Sequence, residues 1–547
     1  IPADWAGQRI ILHFGAVDYK CNVFINNHCI GFHEGGQSSF SFDITDFLSD
    51  KDTVLQVAVT DYLHDETIPR GKQFWKSSSE FIWYTQSSGI WQSVWLEPVN
   101  DSHLEWIHFT PDIDKGIVEI AYSDSDAASF PCDLEWNITF REHPVSHGCL
   151  TVSEKRGKII VDIFKSKALR GSFHFTGWYW SPEHPNLFTA DIFLKSGNTL
   201  LDHIVSYFGM RKIQVRNSKV YLNNQPYYQK LLLDQGYWPE GLLTAPAPES
   251  YADDILAMKR LGFNTLRKHI KVEPEEFYYQ CDRLGMIVWQ DMVNNSSYSY
   301  FRDTVLPTIG IQKWNDRRLH LDERSRNTFR QGAADAVNQL KNHPCICYWT
   351  IFNEGWGQFD SDRVCGWFRT LDATRFIDTT SGWFRGKNTD VDSRHQYFGK
   401  LRLTGDGLRP LVLSEFGGKT WRVEGHIFNP DKTYGYGACP TREALNEAVA
   451  ALYRESIVPA VEKGLCAAIY TQVSDVEEII QKTILGGEFI ERLGYNKGGE
   501  LYERQEDIPF YKKQTRRVLE HCGHIDAESI EEYLSIGGYG ALAKAAV

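Results

Sequence analysis

Residues 347–358 read CYWTIFNEGWGQ, and this stretch decides the fold of the chain. Its apolar run, residues 348–352, leads directly into Asn353 and Glu354 and then into a loop with two glycines. A continuous apolar run that ends in a carboxylate is typical of a buried parallel strand. The stretch therefore predicts an α/β architecture in which Glu354 lies at the carboxyl end of a strand.

A second stretch repeats this form. Residues 410–414 read PLVLS and are followed by Glu415 and the motif FGG. In a barrel of parallel strands the carboxyl ends converge on one rim, so both glutamates are predicted to face one pocket. Each glutamate taken alone could equally be a solvated strand end or half of an ion pair. The repetition favours the shared pocket.

The chain between residues 208 and 476 alternates strands and helices, which predicts a (β/α)8 TIM barrel. The helical patterns are 250–261, 274–284, 324–341 and 360–371. The candidate strands are 228–233, 264–269, 287–291, 348–354, 376–380, 392–397, 411–415 and 467–473. These eight strands are the number that closes such a barrel, with Glu354 and Glu415 ending the fourth and the seventh.

Two β-rich regions precede the predicted barrel. Residues 1–98 contain short alternating strands separated by turns, which predicts a jelly-roll β-sandwich resembling a sugar-binding domain. Residues 99–207 contain a weaker strand series whose length fits an immunoglobulin-like β-sandwich. The 547 residues are enough for several domains with large cores.

Composition narrows the class of partner. The formal charge of -13 and the lack of a basic run argue against nucleic acid or an anionic membrane. The 17 tryptophans supply flat rings that suit the C–H faces of sugars, although most of them are expected in cores. No membrane span or signal peptide is legible, and the 11 cysteines include no CxxC pair. We therefore expect reduced thiols and a cytoplasmic location.

Several motifs together resemble glycoside hydrolase family 2, the family of β-galactosidases, β-glucuronidases and β-mannosidases. They are GAVDYKCNVFINNHCIGFHEGG, SGIWQSVWLEPV, HPNLFTADIFL, YFGMRKIQV, YLNNQPYYQKLLLDQGYWPEG, NEGWG and LSEFGG. They occur in the family's order between residues 1 and 476. The resemblance implies a retaining exo-β-glycosidase that hydrolyses terminal β-glycosides by double displacement. Galactosides, glucuronides and other β-glycosides stay open as substrates.

The resemblance also implies roles for individual residues. Glu415 is expected to be the nucleophile and Glu354 the general acid and base. Tyr397 matches the tyrosine that contacts the nucleophile, and Asn353 matches the asparagine that holds the sugar 2-hydroxyl. Arg267 resembles an arginine that pairs near the nucleophile, with an ordinary ion pair as the alternative.

Other residues at strand ends are candidate contacts for sugar hydroxyls or rings. They are His269, His395, Asp291, Asp234, Trp356 and Trp383. The alternatives are structural histidines, carboxylates that cap the next helix, and tryptophans packed in the core. No ligand set for a metal is legible, and we expect neither a metal nor a cofactor to be required.

The resemblance stops near Val476. Residues 477–547 instead resemble the part of the flavin- and NADH-binding subunit of complex I that precedes its flavin site. The glycine-rich flavin loop is missing, so no flavin is expected. We interpret the chain as an N-terminally truncated hydrolase joined to a foreign, α-rich tail. We expect this tail to pack loosely against a barrel that lacks its last helix.

Two functions other than hydrolysis are alternatives for this sequence. A non-catalytic carbohydrate-binding protein would be expected to have lost one of the two glutamates, and both are present. A flavin-dependent oxidoreductase rests on the tail alone. The predicted partner is therefore a carbohydrate substrate, and formation of a homo-oligomer is left open.

Overall fold

The computed structural model describes most of the first 472 residues and two short stretches of the tail. The exceptions within 1–472 are 50–51, 77–81, 126–130, 168, 170–176, 239–240, 295–298, 300, 302–304, 307–315, 385, 398, 400, 402 and 423–434. The described tail residues are 495–497 and 500–502. The chain forms two compact units, Ile1–Glu478 and Ile479–Val547.

The N-terminal region is a β-sandwich, because its strands alternate buried apolar and outward polar side chains. Its strands are Arg9–Phe14, Val17–Asp18, Lys20–Ile25, His28–Glu34, Phe40–Asp43, Leu55–Thr60, Gly89–Ile90 and Val94–Val99, with 3-10 turns at Ala3–Trp5 and Thr45–Phe47. Arg9–Phe14 is central in one sheet and Lys20–Ile25 in the other. Their buried side chains, such as Leu12 and Val23, form a common core.

A second sandwich follows. Its strands are Leu104–Asp112, Ile117–Asp124, Cys132–Phe140, His143–Val152, Arg156–Asp162, Phe188–Ser196 and Thr199–Phe208. They form one three-stranded and one four-stranded antiparallel sheet around a separate apolar core. A short antiparallel sheet of Ile213–Arg216, Lys219–Leu222 and Gln225–Pro226 leads into the next region.

Eight parallel strands then form a barrel sheet. In chain order, the first to eighth barrel strands are Gln229–Asp234, Thr265–Lys268, Ile287–Asp291, Ile346–Asn353, Phe376–Ser381, Asp392–Gln396, Leu411–Gly417 and Leu465–Thr471. The helices are Pro248–Arg260, Glu275–Leu284, Glu323–Leu340, Ser361–Leu371, Arg442–Leu452 and Val458–Glu462, with a π turn at Tyr453–Ile457. Two short strands, Thr420–Trp421 and Ala438–Cys439, pair beside the seventh strand.

The hydrogen-bonded barrel sheet is continuous through the eighth strand. This strand pairs with both the first and the seventh strand. The sheet is interrupted between the fifth and sixth strands, which form its two edges. Side chains bridge that break, since the hydroxyl of Ser381 lies 3.1 Å from Nε2 of His395. The prediction of two β-sandwiches followed by a (β/α)8 barrel is confirmed.

The second unit is Ile479–Val547. Tyr495–Lys497 and Glu500–Tyr502 form an antiparallel hairpin. The tail was predicted to be α-rich and loosely packed, and the barrel to lack its last helix. Apart from 495–497 and 500–502, these predictions concern residues outside the described ones. Within the described part of the chain, none of the helices has the length and apolar character needed to cross a bilayer.

Candidate active site

Glu354 lies at the turn that follows the fourth barrel strand. Every residue of Ile346–Asn353 is buried, so packing fixes the position of the strand and of the turn that follows it. Glu354 has a φ of 50°, and its N–H donates to the carbonyl of Ser381 at 3.0 Å. Its Oε1 lies 2.8 Å from Nδ1 of His395. The side chain keeps 12% exposure, so it still reaches the pocket.

Glu415 lies inside the seventh strand, Leu411–Gly417, and not at its end. The two glutamates therefore do not occupy equivalent positions, as the repeated pattern had suggested. Oε1 of Glu415 accepts a hydrogen bond from Nη1 of Arg267 at 3.1 Å, and Oε2 accepts one from the hydroxyl of Tyr397. The side chain is almost fully buried. The sequence pattern missed this difference because the strand continues past the carboxylate into Phe416 and Gly417.

His395 lies between the two carboxylates. Its Nδ1 contacts Glu354, and its Nε2 lies 3.6 Å from Oε1 of Glu415. One carboxylate oxygen of each glutamate and one ring nitrogen of the histidine lie within 4.8 Å of one another. Gly382 makes room for the imidazole, because a Cβ there would lie 2.4 Å from Cγ of His395. The fold therefore brings both glutamates into one compact group.

Arg267, on the second strand, connects several parts of the site and is fully buried. Its Nε donates to Oδ1 of Asp291 at 3.0 Å, and its Nη2 donates to Oδ1 of Asn353 at 2.8 Å. Its Nη1 contacts Glu415 and also the carbonyl of Ser414 at 3.1 Å. One guanidinium thus fixes groups from the third, fourth and seventh strands, and it uses the planar fork that suits carboxylates.

Asp291 and His269 lie behind this arginine. Nδ1 of His269 is 2.8 Å from Oδ2 of Asp291, and both side chains are buried. Both oxygens of Asp291 are engaged by Arg267 and His269, and its role as a sugar contact stays a prediction. Asp234 is likewise paired, with Nζ of Lys268 at 2.8 Å.

These neighbours determine the charge states. Burial alone would raise the pKa of Glu415, but electrostatic interactions with His395 and Arg267 outweigh it and hold that pKa well below its usual range. The pKa of Asp291 is also lowered, since Arg267 offsets its burial. Burial lowers the pKa of His269 to about 4. At neutral pH the site therefore holds an ionised Glu415 and an uncharged His269.

Asn353 is the last residue of the fourth strand and is buried. Its Oδ1 is taken by Arg267, but in the described part of the chain its Nδ2 has no hydrogen-bond partner. A buried donor without a partner costs about 1–3 kcal/mol, so a ligand oxygen would relieve that cost. The amide group is thus held by one end and offers the other.

The aromatic candidates differ in placement. The ring of Tyr397 stacks on Tyr436 with centroids 3.8 Å apart, which fixes its hydroxyl on Glu415. Trp383 is half-buried, and its ring centroid lies 6.1 Å from that of His395. Trp356 is only 2% exposed and packs against Trp83 at 5.2 Å. Trp383 is therefore the better placed of the two tryptophans to contact a sugar.

The sequence reasoning missed two residues of this region. Lys72 and Trp83 belong to the N-terminal sandwich, yet both contact Trp356 at the barrel mouth. No periodic pattern marks either residue, and the described residues between Leu55–Thr60 and Gly89–Ile90 form neither helix nor strand. Only the packing of one domain on the other brings them to the site.

One group among the described residues has the composition of a metal site. It consists of Glu354, His395 and Glu415, the same three side chains that form the compact group above. A metal ion held there would occupy both carboxylates. The expectation that no metal is required therefore stays a prediction to be tested.

Two β-sandwiches followed by a barrel with paired glutamates near its carboxyl rim form an arrangement that is typical of multidomain glycoside hydrolases. Family profiles agree with this class. The sugar-binding domain of glycosyl hydrolases family 2 matches residues 1–97, a second profile of the family matches 102–211, and its TIM barrel domain matches 213–401. The chain belongs to glycosyl hydrolase family 2.

Curated proteins that resemble this chain have low sequence identity to it. The β-galactosidase of Thermoanaerobacter pseudethanolicus is 23% identical over 355 residues, which are 63% of this chain and 42% of that protein. The β-galactosidase large subunit of Latilactobacillus sakei is 25% identical over 427 residues, 75% of this chain and 62% of that protein. The chain thus spans less than two thirds of the length of these relatives.

Solved structures share the fold at low identity. The β-glucuronidase of Parabacteroides merdae has a TM-score of 0.65 and 16% identity, with 86% of this chain and 60% of that chain covered. The galacturonate-bound β-galacturonidase of Eisenbergiella tayi has a TM-score of 0.61 and 17% identity, with 85% and 80% covered.

Proposed function

We propose that the chain is a retaining exo-β-glycosidase that hydrolyses terminal β-glycosides, with Glu415 as nucleophile and Glu354 as general acid and base. The observation that carries the proposal is the approach of the two carboxylates, whose nearest ligand oxygens lie within 4.8 Å. This close approach of two oxygens supports the carboxyl-group separation of about 5–5.5 Å of retaining enzymes over most of the range of about 6.5–9.5 Å that inverting enzymes need to admit a water.

In the first step, a carboxylate oxygen of Glu415 attacks the anomeric carbon. The bond to the leaving oxygen breaks, and protonated Glu354 donates its proton to that oxygen. In the second step, ionised Glu354 takes a proton from water, and the hydroxide attacks the anomeric carbon. The glycosyl ester breaks, and Glu415 leaves as a carboxylate. The low pKa of Glu415 supports its part, because a nucleophile must be ionised.

The remaining groups support this reaction. The unpartnered Nδ2 of Asn353 is placed to donate to a sugar hydroxyl, and such a bond can strengthen in the transition state. Trp83 packs against Trp356 beside the site. Exo action is proposed from the resemblance to family 2.

The substrate class follows the named relatives. β-Galactosidases and β-glucuronidases are among the proteins that this chain resembles, so we propose a β-galactoside or β-glucuronide. We also propose domain limits of 1–98, 99–207 and 208–476, with a separate tail from 477. We also propose a cytoplasmic location, which cell fractionation would test. Light scattering would determine whether the chain forms a homo-oligomer.

A panel of 4-nitrophenyl β-glycosides tests the proposal, with NMR used to follow the anomer released first. We expect the β-anomer. Glu415→Gln should abolish turnover of every substrate, whereas Glu354→Ala should spare substrates with good leaving groups and regain rate with azide. Glu447→Gln is the matched control, because Glu447 is exposed and pairs only with Arg454 among the described residues. Release of the α-anomer would overturn the mechanism.

Carbohydrate binding without catalysis is the alternative function. Both carboxylates, Tyr397 and Arg267 are in place, which disfavours it. It would be established by sugar binding in calorimetry together with no turnover of any glycoside.

A further inference from the structure

Lys72 is a buried cation at the mouth of the barrel. It comes from the N-terminal sandwich, and only 4% of the residue is exposed. Its Nζ lies 4.4 Å from the ring centroid of Trp356 and 5.4 Å from that of Trp83. Trp356 follows Glu354 by two residues and faces His269 edge-on at 6.3 Å. The ammonium is therefore buried at the barrel mouth, where it interacts electrostatically with both glutamates.

The backbone around Lys72 is fixed to the barrel. Gly71 has a φ of +65°, and a Cβ there would lie 2.4 Å from the carbonyl oxygen of Ile270, just after the second strand. The N–H of Arg70 donates to the carbonyl of Asn294, after the third strand, at 3.3 Å. The carbonyl of Lys72 itself accepts from Tyr84 at 3.0 Å. These contacts place the lysine rigidly against the rim.

Lys72 differs from the other buried lysines near this rim. Lys268 has carboxylates of Asp234 and Glu273 at 2.8 Å, and Lys271 has Glu273 at 2.9 Å. Among the described residues, Lys72 has no carboxylate at ion-pair distance. Cation–π contacts offset only about 0.5–2 kcal/mol of the larger cost of burying an unpaired ammonium. A negative group from a ligand would complete this surrounding.

The electrostatics agree with that geometry. Burial lowers the pKa of Lys72 to about 8, and the carboxylates of Glu415 and Glu354 are the groups that most oppose this lowering. The lysine is therefore mostly charged at pH 7, and it faces the carboxylates that would act on a bound sugar.

We propose that Lys72 binds the carboxylate of a uronic acid and makes the chain selective for β-uronides. This inference rests on the proposed glycosidase function. A carboxylate on the sugar ring is an anionic group that can lie in the same pocket as the anomeric carbon. The specificity residue thus comes from the sandwich and not from the barrel.

The test compares kcat/KM for 4-nitrophenyl β-D-glucuronide and β-D-galacturonide with those for the β-D-glucoside and β-D-galactoside. The common aglycone ensures that any selectivity comes from the sugar. Wild type should prefer a uronide. Lys72→Met should lower kcat/KM for that uronide by roughly 10- to 100-fold, the usual effect of losing a charge-assisted hydrogen bond. The loss for neutral glycosides should be smaller, because they carry no carboxylate for the lysine to bind.

Two variants complete the design. Lys158→Met is the control, because Lys158 is an exposed lysine of the second sandwich that pairs with Glu119. Lys72→Arg should recover part of the uronide activity, since it restores the charge. Thermal unfolding of each variant separates a folding defect from a binding defect.

The outcomes separate this inference from the function on which it rests. Turnover of neutral glycosides but not of uronides would overturn the role of Lys72 and leave the glycosidase in place. An equal loss for both substrate types in Lys72→Met would show that the lysine acts on the glutamates instead. If no glycoside is turned over, the proposed function fails. Calorimetric binding of D-glucuronate and D-galacturonate to wild type and Lys72→Met then decides the inference, and equal affinities would overturn it.

Discussion

Replacing Arg267 by Met should uncouple the two buried carboxylates that this arginine holds. Met fills a similar volume but cannot donate, so Asp291 and Glu415 would each lose a charged partner at 3.0–3.1 Å. Oδ1 of Asn353 would also lose its donor. Removing one partner of a buried ion pair typically costs about 3–5 kcal/mol, and we expect a loss of that size in the free energy of unfolding.

The pH dependence follows from the sign of the shift. The pKa of Glu415 is lowered in the folded chain, so its ionisation stabilises the fold above its unfolded pKa of about 4.3, and this contribution is lost as the pH falls. Arg267→Met removes part of it. The stability difference between wild type and variant should therefore be largest near neutral pH and should narrow in acid. The pKa of Glu415 should rise, which moves the acid limb of kcat/KM to higher pH.

Chemical denaturation from pH 8 down to about pH 2, the range through which Glu415 gains its proton, and pH profiles of kcat/KM measure these effects. Arg9→Met is the control, because Arg9 pairs with Asp43 at a surface where both side chains are about one third exposed. It should cost less than about 1 kcal/mol, as exposed ion pairs do. A variant that loses stability but keeps its acid limb at the wild-type pH would show that Arg267 does not control the ionisation of Glu415.

Four further predictions follow from the site and the sequence. Asn353→Ala should lower kcat/KM for a 2-hydroxyl substrate by roughly 10- to 100-fold and leave a 2-deoxy substrate almost unchanged, so equal losses in the two assays would exclude a contact to that hydroxyl. Turnover of β-uronides should fall as the pH rises through about 8, where Lys72 loses its charge, while neutral glycosides show no such step in the same profiles. Dialysis against EDTA should leave activity unchanged, whereas a loss restored by a divalent ion would place a metal at Glu354, His395 and Glu415. Removal of residues 477–547 should change the free energy of unfolding, measured by thermal denaturation, only a little. A loss of several kcal/mol in this free energy would show that the tail belongs to the fold.

Local patterns predicted the barrel strands well because five of the eight strands are buried along their whole length. Ile287–Asp291 was predicted to the residue, and the fourth strand extends only slightly beyond its apolar run. The contacts between strands could not be predicted in this way. His395 meets Glu415 because the sixth and seventh strands pair these residues in register, with an irregularity just before them. Register and irregularities depend on the packing of the whole barrel.

The position of Lys72 marks the limit of such reasoning. The described residues on either side of Lys72 form neither helix nor strand, so neither hydrophobic periodicity nor propensity points to it. Its place depends on how the N-terminal sandwich packs on the barrel, through contacts such as Gly71 against Ile270. Residues brought together by the docking of domains leave no pattern in the local sequence. The partners of Asp291 come from the neighbouring barrel strand and its end, and the sequence pattern does not show these side-chain contacts either.

The unequal surroundings of the two glutamates favour one assignment of roles over its reverse. Glu415 lies within a strand, where Arg267 and Tyr397 can both reach its carboxylate and stabilise its negative charge. Glu354 lies one residue past a strand, and among the described residues its carboxylate is hydrogen-bonded to His395 alone. A general acid must gain and lose a proton in each cycle, whereas a nucleophile must stay ionised until it attacks. If the roles were exchanged, the proton would have to reside on the carboxylate that a buried guanidinium holds in its charged form, and the loss of that ion pair would oppose each turnover.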